Sequence, residues 1–227
     1  NIFISGATST GKTTFLNVLA DYIPKTERVI TIEDSAELQI HGIENLVRME
    51  VRQADGDGVS NVTLRDLIRT SLRMRPDRII VGEVRGEEAL DMIQSMNTGH
   101  DGSLSTGHAN SPQDMLSRLE TMALFASDIP IQAIRKQIAS SIDIIVQLER
   151  LRDRSRRVTA IAEVLDCTED AYILNPIFEF HEQDNLVMES SSYGDIPERV
   201  VGQLERTGYH LMHRRKLHAA ALESAEI

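Results

Sequence analysis

Residues 6–13 could bind phosphate. Their sequence, GATSTGKT, matches the pattern G-x-x-x-x-G-K-[ST] at every position and lies between a strand-like and a helix-like segment. A glycine-rich loop of this kind can point successive backbone N–H groups into one concavity, and the helix that follows adds partial positive charge. The bland alternative is a Gly/Thr-rich turn with a surface lysine. The predicted phosphate-binding residues are Gly6, Ala7, Thr8, Ser9, Thr10, Gly11, Lys12, Thr13 and Thr14. The pattern predicts that Lys12 reaches the β- and γ-phosphates and that Thr13 binds Mg²⁺.

Two acidic residues end apolar strand-like segments. Glu33 and Asp34 follow residues 29–32, and Glu83 follows residues 78–82. Ligands of open α/β sheets collect at the carboxyl ends of the strands. We therefore predict that Glu33 holds a magnesium-bound water and that Glu83 orients and deprotonates the attacking water. Taken singly, each of these residues could equally be an exposed loop acid.

A glycine-bounded segment carries two histidines, His100 and His108. Their separation fits neither the i, i+4 pair of a helical metal site nor a zinc finger, so zinc is not expected. His108 follows a short strand-like segment and could sense a γ-phosphate through a hydrogen bond. An isolated loop histidine can also be purely structural.

Two groups of arginines are candidates for phosphate or interface contacts. Arg48, Arg52 and Arg85 could reach phosphate within the subunit or across to a neighbouring one. A second group, Arg65, Arg69 and Arg73, recurs every four residues along one predicted helix. Like charges at that spacing weakly destabilise a helix, so the pattern indicates either an anionic neighbour across an interface or a solvated basic face.

The elements that would position these residues alternate between strands and helices. Such alternation predicts an α/β fold with a mostly parallel sheet covered on both faces. After Arg150 the pattern changes to a basic turn and alternating segments at residues 158–165, 172–180 and 186–188, which predict a small antiparallel sheet. A helix is predicted over residues 195–204, and the polar residues from 210 onward are expected to fray. We therefore predict a core at residues 1–150 and a small α+β appendage at residues 151–227.

The amino-acid composition gives evidence on the partners and the cellular compartment of the protein. The 227 residues carry 24 Lys and Arg against 35 Asp and Glu, a net charge of −11 that argues against general affinity for nucleic acid. One cysteine, Cys167, cannot form an intramolecular disulfide and suits the cytoplasm. No apolar segment approaches the roughly 20 residues that cross a bilayer. A chain that opens on a strand without Met is expected to be a fragment.

Together these motifs resemble those of the secretion ATPase superfamily that powers type II and type IV secretion and type IV pili. The resemblance rests on four ordered segments: residues 6–13, 31–34 (TIED, the Asp box), 81–86 (VGEVRG, the Walker B segment) and 106–110 (TGHAN, the His box). Residues 72–86 and 96–106 are most similar to the CpaF-type tight-adherence (Flp) pilus assembly ATPases. The likeness runs from residue 2 to about residue 180.

The resemblance implies a RecA-like P-loop NTPase core that binds ATP and Mg²⁺ in a hexameric ring. It implies Glu33 near the metal-bound water, Glu83 as the base and His108 as the γ-phosphate sensor. It also implies an ATP-hydrolysing motor for pilus assembly or secretion, in the cytoplasm and held at the inner membrane through a platform protein. The resemblance also implies an N-terminal domain before the P-loop strand, which we do not expect among these residues.

Three other functions share parts of this pattern. A RecA-like DNA translocase or helicase has the same fold and ring, although the net charge of −11 argues against it. A nucleotide-binding regulatory module would bind ATP without turnover. A small-molecule kinase would need an acceptor pocket, which the sequence does not reveal.

Overall fold

A computed structural model describes residues 1–54, 60–183 and 199–219. The strands in this part of the chain are β1 (Ile2–Gly6), β2 (Arg28–Glu33), β3 (Asn45–Glu50), β4 (Arg78–Val81), β5 (Leu104–Gly107), β6 (Ile144–Arg150), β7 (Arg156–Cys167), β8 (Tyr172–Glu182) and β9 (Gly202–Arg206). The helices are α1 (Lys12–Ala20), α2 (Leu64–Ser71), α3 (Glu88–Asn97), α4 (Pro112–Ala126), α5 (Ile131–Ser141) and α6 (Arg215–Ala219).

Within the described residues the strands form one sheet in the order β3-β2-β4-β5-β1-β6-β7-β8-β9. Strands β1 to β6 pair in parallel, whereas β7, β8 and β9 pair antiparallel. The mixed α/β class predicted from the sequence is therefore confirmed. The expected small antiparallel sheet is instead a continuation of the main sheet, because β7 pairs with β6 from Arg156 to Glu163. The division at residue 150 coincides with the change of strand direction and stays a prediction.

Apolar side chains on the two faces of the sheet build two cores. One face packs against α2, α3, α4 and α5, with Phe3, Ile145 and Met115 buried between the layers. The opposite face packs against α1, with Ile4, Leu16 and other buried residues between them. Helix α1 is therefore held directly beneath the central strand β1, and this fixes the loop that joins them.

Local signals start two of the covering helices. Thr63 caps α2, and its side chain and that of Asp66 exchange hydrogen bonds with each other's backbone N–H groups. Ser111 caps α4, where Pro112 occupies the first turn. These are the preferred residues for such positions because they satisfy N–H groups that lack partners within the helix.

The prediction of a helix over residues 195–204 is wrong for residues 199–204, the part that the structure describes. Gly202–Arg206 forms β9, which pairs with the edge of β8. A Cβ on Gly202 would lie 2.5 Å from the carbonyl oxygen of His181, so glycine permits this close pairing. The open edge of the sheet overrides the local helix signals. Residues 195–198 and the strand predicted at residues 186–188 lie outside the described residues.

The segment after β9 is anchored rather than frayed in its described part. Glu163 of β7 is 1% exposed, and its carboxylate accepts hydrogen bonds from the backbone N–H groups of Met212 and His213, at 2.9 and 2.6 Å from the nearer oxygens. The side-chain amide of Asn175 donates to the same carboxylate at 2.8 Å and also to the carbonyl of His210. A buried acid thus holds the segment against the sheet.

Replacing Glu163 by Ala removes the acceptor of the Met212 and His213 backbone N–H groups and leaves Asn175 with only the carbonyl of His210. We expect the free energy of unfolding to fall by about 2–3 kcal/mol, the cost of losing hydrogen bonds to a buried charged group. Hydrogen exchange at the Met212 and His213 amides should accelerate more than exchange in β1. Glu179→Ala, which removes an exposed acid from β8, is the matched control. Equal stability of the two variants would contradict this role.

Candidate functional site

The loop between β1 and α1 forms the floor of a cavity of about 490 Å³ at the carboxyl ends of the parallel strands. Ser9 and Gly11 have positive φ angles of 63° and 96°, which turn the backbone tightly at the start of α1. Such turns direct N–H groups toward a common point and favour anions. Gly6 lies so close to β6 that a Cβ there would be 2.4 Å from the carbonyl oxygen of Leu148. The loop is therefore held in place by the start of α1 and by β6.

The ammonium group of Lys12 lies inside this loop. The residue is 7% exposed, and Nζ donates hydrogen bonds to the carbonyl oxygens of Gly6 at 2.9 Å and Ala7 at 3.1 Å. Burial lowers the pKa of Lys12; the charge of Arg85 adds to this effect and that of Glu83 opposes it. Backbone carbonyls thus hold a partly desolvated cation at the position where the motif predicts a phosphate.

His108 lies between Lys12 and Glu83. Its Nδ1 atom is 3.2 Å from Lys12 Nζ, and its Nε2 atom is 2.6 Å from Glu83 Oε1. Because an ammonium can only donate and a carboxylate can only accept, the tautomer that suits both neighbours is neutral imidazole with its proton on Nε2. Burial, followed by the charge of Lys12, lowers the pKa of His108, which favours the same neutral form.

The carboxylate of Glu83 has two different oxygens. Oε2 accepts a hydrogen bond from the Arg85 guanidinium at 2.5 Å, and this bond is the main cause of the raised pKa of Arg85. Oε1 is buried and lies 2.6 Å from His108 Nε2, and no other described residue donates a hydrogen bond to it. An oxygen with unused acceptor capacity at the edge of the cavity is suited to receive a proton from water.

Glu33 is 6% exposed at the end of β2, and its Oε1 atom accepts N–H groups from Glu37 at 2.9 Å and Leu38 at 2.8 Å. Glu37 also lies 3.5 Å from the Thr13 hydroxyl, measured from Oε2 to Oγ1. Hydroxyl and carboxylate oxygens are the ligands that Mg²⁺ prefers, either directly or through water. The donor set on this side of the cavity therefore fits that ion.

The cavity brings together most of the residues predicted from the sequence. Its lining includes Thr8, Ser9, Thr10, Gly11, Lys12, Thr13, Thr14, Glu33, Asp34, Glu83, Arg85 and His108. Gly6 and Ala7 lie at its base, where their carbonyls accept from Lys12. Sequence reasoning missed Glu37, Thr106 and Arg156, which also line the cavity. Of these, Thr106 is predictable from the sequence, because it belongs to the same segment, residues 106–110, as His108.

Arg48 and Arg52 do not line this cavity. Arg48 donates to the carbonyl of Ile40 at 2.8 Å, and Arg52 donates to that of Ser60 at 3.3 Å, both near the β3 edge of the sheet. Their contact with phosphate, including a contact made across to a neighbouring subunit, stays a prediction.

The arginines of α2 have a partner that the sequence did not suggest. Arg65 and Arg69 donate to opposite oxygens of Asp91 on α3, each at 2.7 Å, and Arg65 also pairs with Glu87. Asp91 is 6% exposed, so the acid is buried between the two helices. The neighbour of these two arginines is therefore within the chain, while Arg73 is exposed.

Comparison with known proteins identifies the family of the chain. Residues 1–191 match the family described as "Type II/IV secretion system protein". The chain belongs to this family. The membership of the secretion ATPase superfamily predicted from its four motifs is thereby confirmed, whereas the closer likeness to the CpaF-type group stays a prediction.

Individual members of the family align with the core of the chain. The type IV secretion system protein PtlH of Bordetella pertussis is 37% identical over 159 residues, which cover 69% of this chain and 47% of PtlH. The VirB11 ATPase of Brucella suis, solved in complex with sulphate, superposes with a TM-score of 0.64 at 33% identity over 71% of this chain and 47% of VirB11. The chain spans about half the length of the curated relatives it matches.

A more distant structure supports the fold alone. The ATPase DotB of Yersinia pseudotuberculosis superposes with a TM-score of 0.57 at 21% identity, over 74% of this chain and 44% of DotB.

Among the described residues of our chain, no helix combines the length and apolarity that a bilayer crossing requires.

The contacts of His108 predict opposite responses to two substitutions. Lys12→Ala removes a repelling charge and should raise the pKa of His108, whereas Glu83→Gln removes an attracting charge and should lower it further. Titration of the imidazole by NMR measures both, with Lys136→Ala on the exposed surface of α5 as control. Shifts of the His108 pKa in the same direction in both variants would contradict the arrangement.

The same burial makes the stability of the protein depend on pH. Because burial lowers the pKa of His108 in the folded state, its contribution to stability is present above its unfolded pKa and declines as the pH falls.

Proposed function

We propose that this chain is the ATP-hydrolysing motor domain of a machine for pilus assembly or protein secretion. The observation that carries the proposal is the meeting of Lys12, Glu83 and His108 in one cavity beside the loop of residues 6–13. The family membership and the likeness to named secretion ATPases support the same function. The parallel part of the sheet, with ligand groups at its carboxyl edge, is consistent with a RecA-like P-loop core.

The loop would bind the triphosphate through its backbone N–H groups and the start of α1. Lys12 would leave the carbonyls of Gly6 and Ala7 and contact phosphate oxygens. The buried ammonium group would then have a negatively charged partner. Thr13 and Glu33 would hold Mg²⁺, the latter through water, with Glu37 alongside. The bound ion would supply charge neutralisation at the phosphates.

Hydrolysis would depend on Glu83. Its Oε1 atom has acceptor capacity to take a proton from water, and Arg85 fixes the orientation of the carboxylate through Oε2. His108 contacts both Lys12 and Glu83. Movement of Lys12 onto phosphate would therefore change the contacts of His108, and this links the presence of the γ-phosphate to the position of the base.

Assembly and partners follow from the family and belong to the same proposal. The motor would act as a hexameric ring in the cytoplasm and reach the inner membrane through a platform protein. The sulphate in the VirB11 structure supports an anion site in a relative, since sulphate matches phosphate in shape and charge. The DNA translocase alternative is not favoured by the family match.

Two substitutions in the full-length protein separate binding from chemistry. Lys12→Ala should weaken ATP binding at least about tenfold, because it removes a charge-assisted contact to phosphate. Glu83→Gln should leave the Kd for ATP within about threefold but lower kcat about 100-fold or more, since it removes the general base.

Binding measured by calorimetry and turnover measured by phosphate release test both expectations. Lys136→Ala and Glu179→Gln, which change exposed residues away from the cavity, serve as matched controls. Turnover that survives both Lys12→Ala and Glu83→Gln would contradict the proposed site. ATP binding without phosphate release by the wild-type protein would indicate a regulatory module instead.

A further inference from the structure

A basic hairpin extends the sheet beside the phosphate-binding loop. Strand β6 pairs with β1 so that Leu148 lies beside Gly6, and β6 then continues for two more residues. The chain turns after Arg150 and returns as β7, whose first residue is Arg156. Arg156 lines the cavity, and its Cδ atom is 3.6 Å from the position that a Cβ on Gly11 would occupy. The hairpin thus places an arginine at the start of α1.

The side chain of Arg156 is directed there by the alternation of β7. Val158, two residues on, packs against the α1 core, so Arg156 shares the face that carries the loop. Arg157 faces the other way, where its guanidinium lies 5.8 Å from the ring of Phe180 and donates to the carbonyl of Val200. Only one of these neighbouring arginines can therefore reach the cavity.

The guanidinium of Arg156 differs from the other two cationic side chains that line the cavity. Lys12 donates to backbone carbonyls, and Arg85 pairs with Glu83 and Asp34. The guanidinium of Arg156 forms no hydrogen bond or ion pair with any residue in the described ranges. It also lies directly opposite Arg150 in the ladder, and like charges at that spacing are unfavourable unless an anion offsets them.

The turn that carries Arg156 is held in place by its own contacts. Leu151 and Ser155 close it through a backbone hydrogen bond of 2.8 Å. The carboxylate of Asp153 accepts the backbone N–H groups of Ser155 and Val200, each at 2.9 Å, and the contact with Ser155 is the main cause that lowers the pKa of Asp153 to about 2. A fixed turn reduces the entropy lost when the arginine binds a ligand.

We propose that Arg156 binds the phosphates that ATP and ADP share, and that it sets nucleotide affinity rather than the rate of hydrolysis. This inference rests on the proposed nucleotide site. Arg156 lies on the Gly11 side of the loop, at the start of α1. His108 contacts the tip of Lys12, which the motif places at the β- and γ-phosphates, and Glu83 contacts His108 on its far side. The planar fork of a guanidinium suits two phosphate oxygens at once.

The test compares Arg156→Ala with Arg154→Ala, which removes the same charge from the same turn at a position that does not line the cavity. Arg156→Ala should raise the Kd for ADP and for a nonhydrolysable ATP analogue by about tenfold or more each, as expected for loss of a charge-assisted contact. Arg154→Ala should leave both within about twofold. The Kd values of Arg156→Lys should lie between those of the wild-type chain and Arg156→Ala, because lysine keeps the charge but lacks the planar fork of the guanidinium. In the full-length protein, KM for ATP should rise and kcat at saturating ATP should be retained.

The outcomes separate this inference from the proposed function. If the wild-type chain binds neither ADP nor the analogue, the proposed function fails. If it binds both and Arg156→Ala binds them equally well, only the role of Arg156 fails. If Arg156→Ala loses affinity only for the ATP analogue and its kcat falls, Arg156 contacts the γ-phosphate. That result would overturn its assignment to the phosphates that ATP and ADP share. Matched thermal unfolding of the alanine and lysine variants excludes misfolding as the cause of weak binding.

Discussion

The site depends on a buried cation that lacks a full charge partner. Lys12 is 7% exposed, and its ammonium group contacts two backbone carbonyls and a histidine nitrogen, with no carboxylate within ion-pair distance among the described residues. Desolvating a charge without a counter-ion is unfavourable, and it lowers the pKa of Lys12. A phosphate group would remove this deficit. The surrounding residues are arranged around the point where that anion would bind.

The fold maintains this arrangement from several directions. Strand β1 and helix α1 lie on opposite sides of the loop, and the contact of Gly6 with Leu148 joins the loop to β6. The ends of β4 and β5 bring Glu83 and His108 to the same edge. The first turn after the parallel strands adds Arg156. The hairpin that begins the antiparallel part of the sheet therefore contributes to the cavity formed by the parallel part.

Much of the cavity could be predicted because its residues belong to contiguous motifs at strand ends. The loop of residues 6–13, Glu33, Glu83 and His108 each follow a strand-like segment, and parallel strands bring their carboxyl ends to one edge. Arg156 could not be found in this way, since its place depends on the β6–β7 register and on the irregularity between Gln147 and Leu148. The partner of Arg65 and Arg69 is likewise set by helix packing, because Asp91 lies on another helix. Strand β9 replaced a predicted helix for a similar reason: the free edge of β8 outweighed local propensity.

A structure of the chain with a nonhydrolysable ATP analogue and Mg²⁺ tests the central claim most directly. The account predicts that the triphosphate lies in the concavity of residues 6–13 and that Lys12 Nζ leaves the carbonyls of Gly6 and Ala7 to contact phosphate oxygens. A nucleotide bound elsewhere, or a Lys12 that still donates to those carbonyls beside a bound triphosphate, would contradict it.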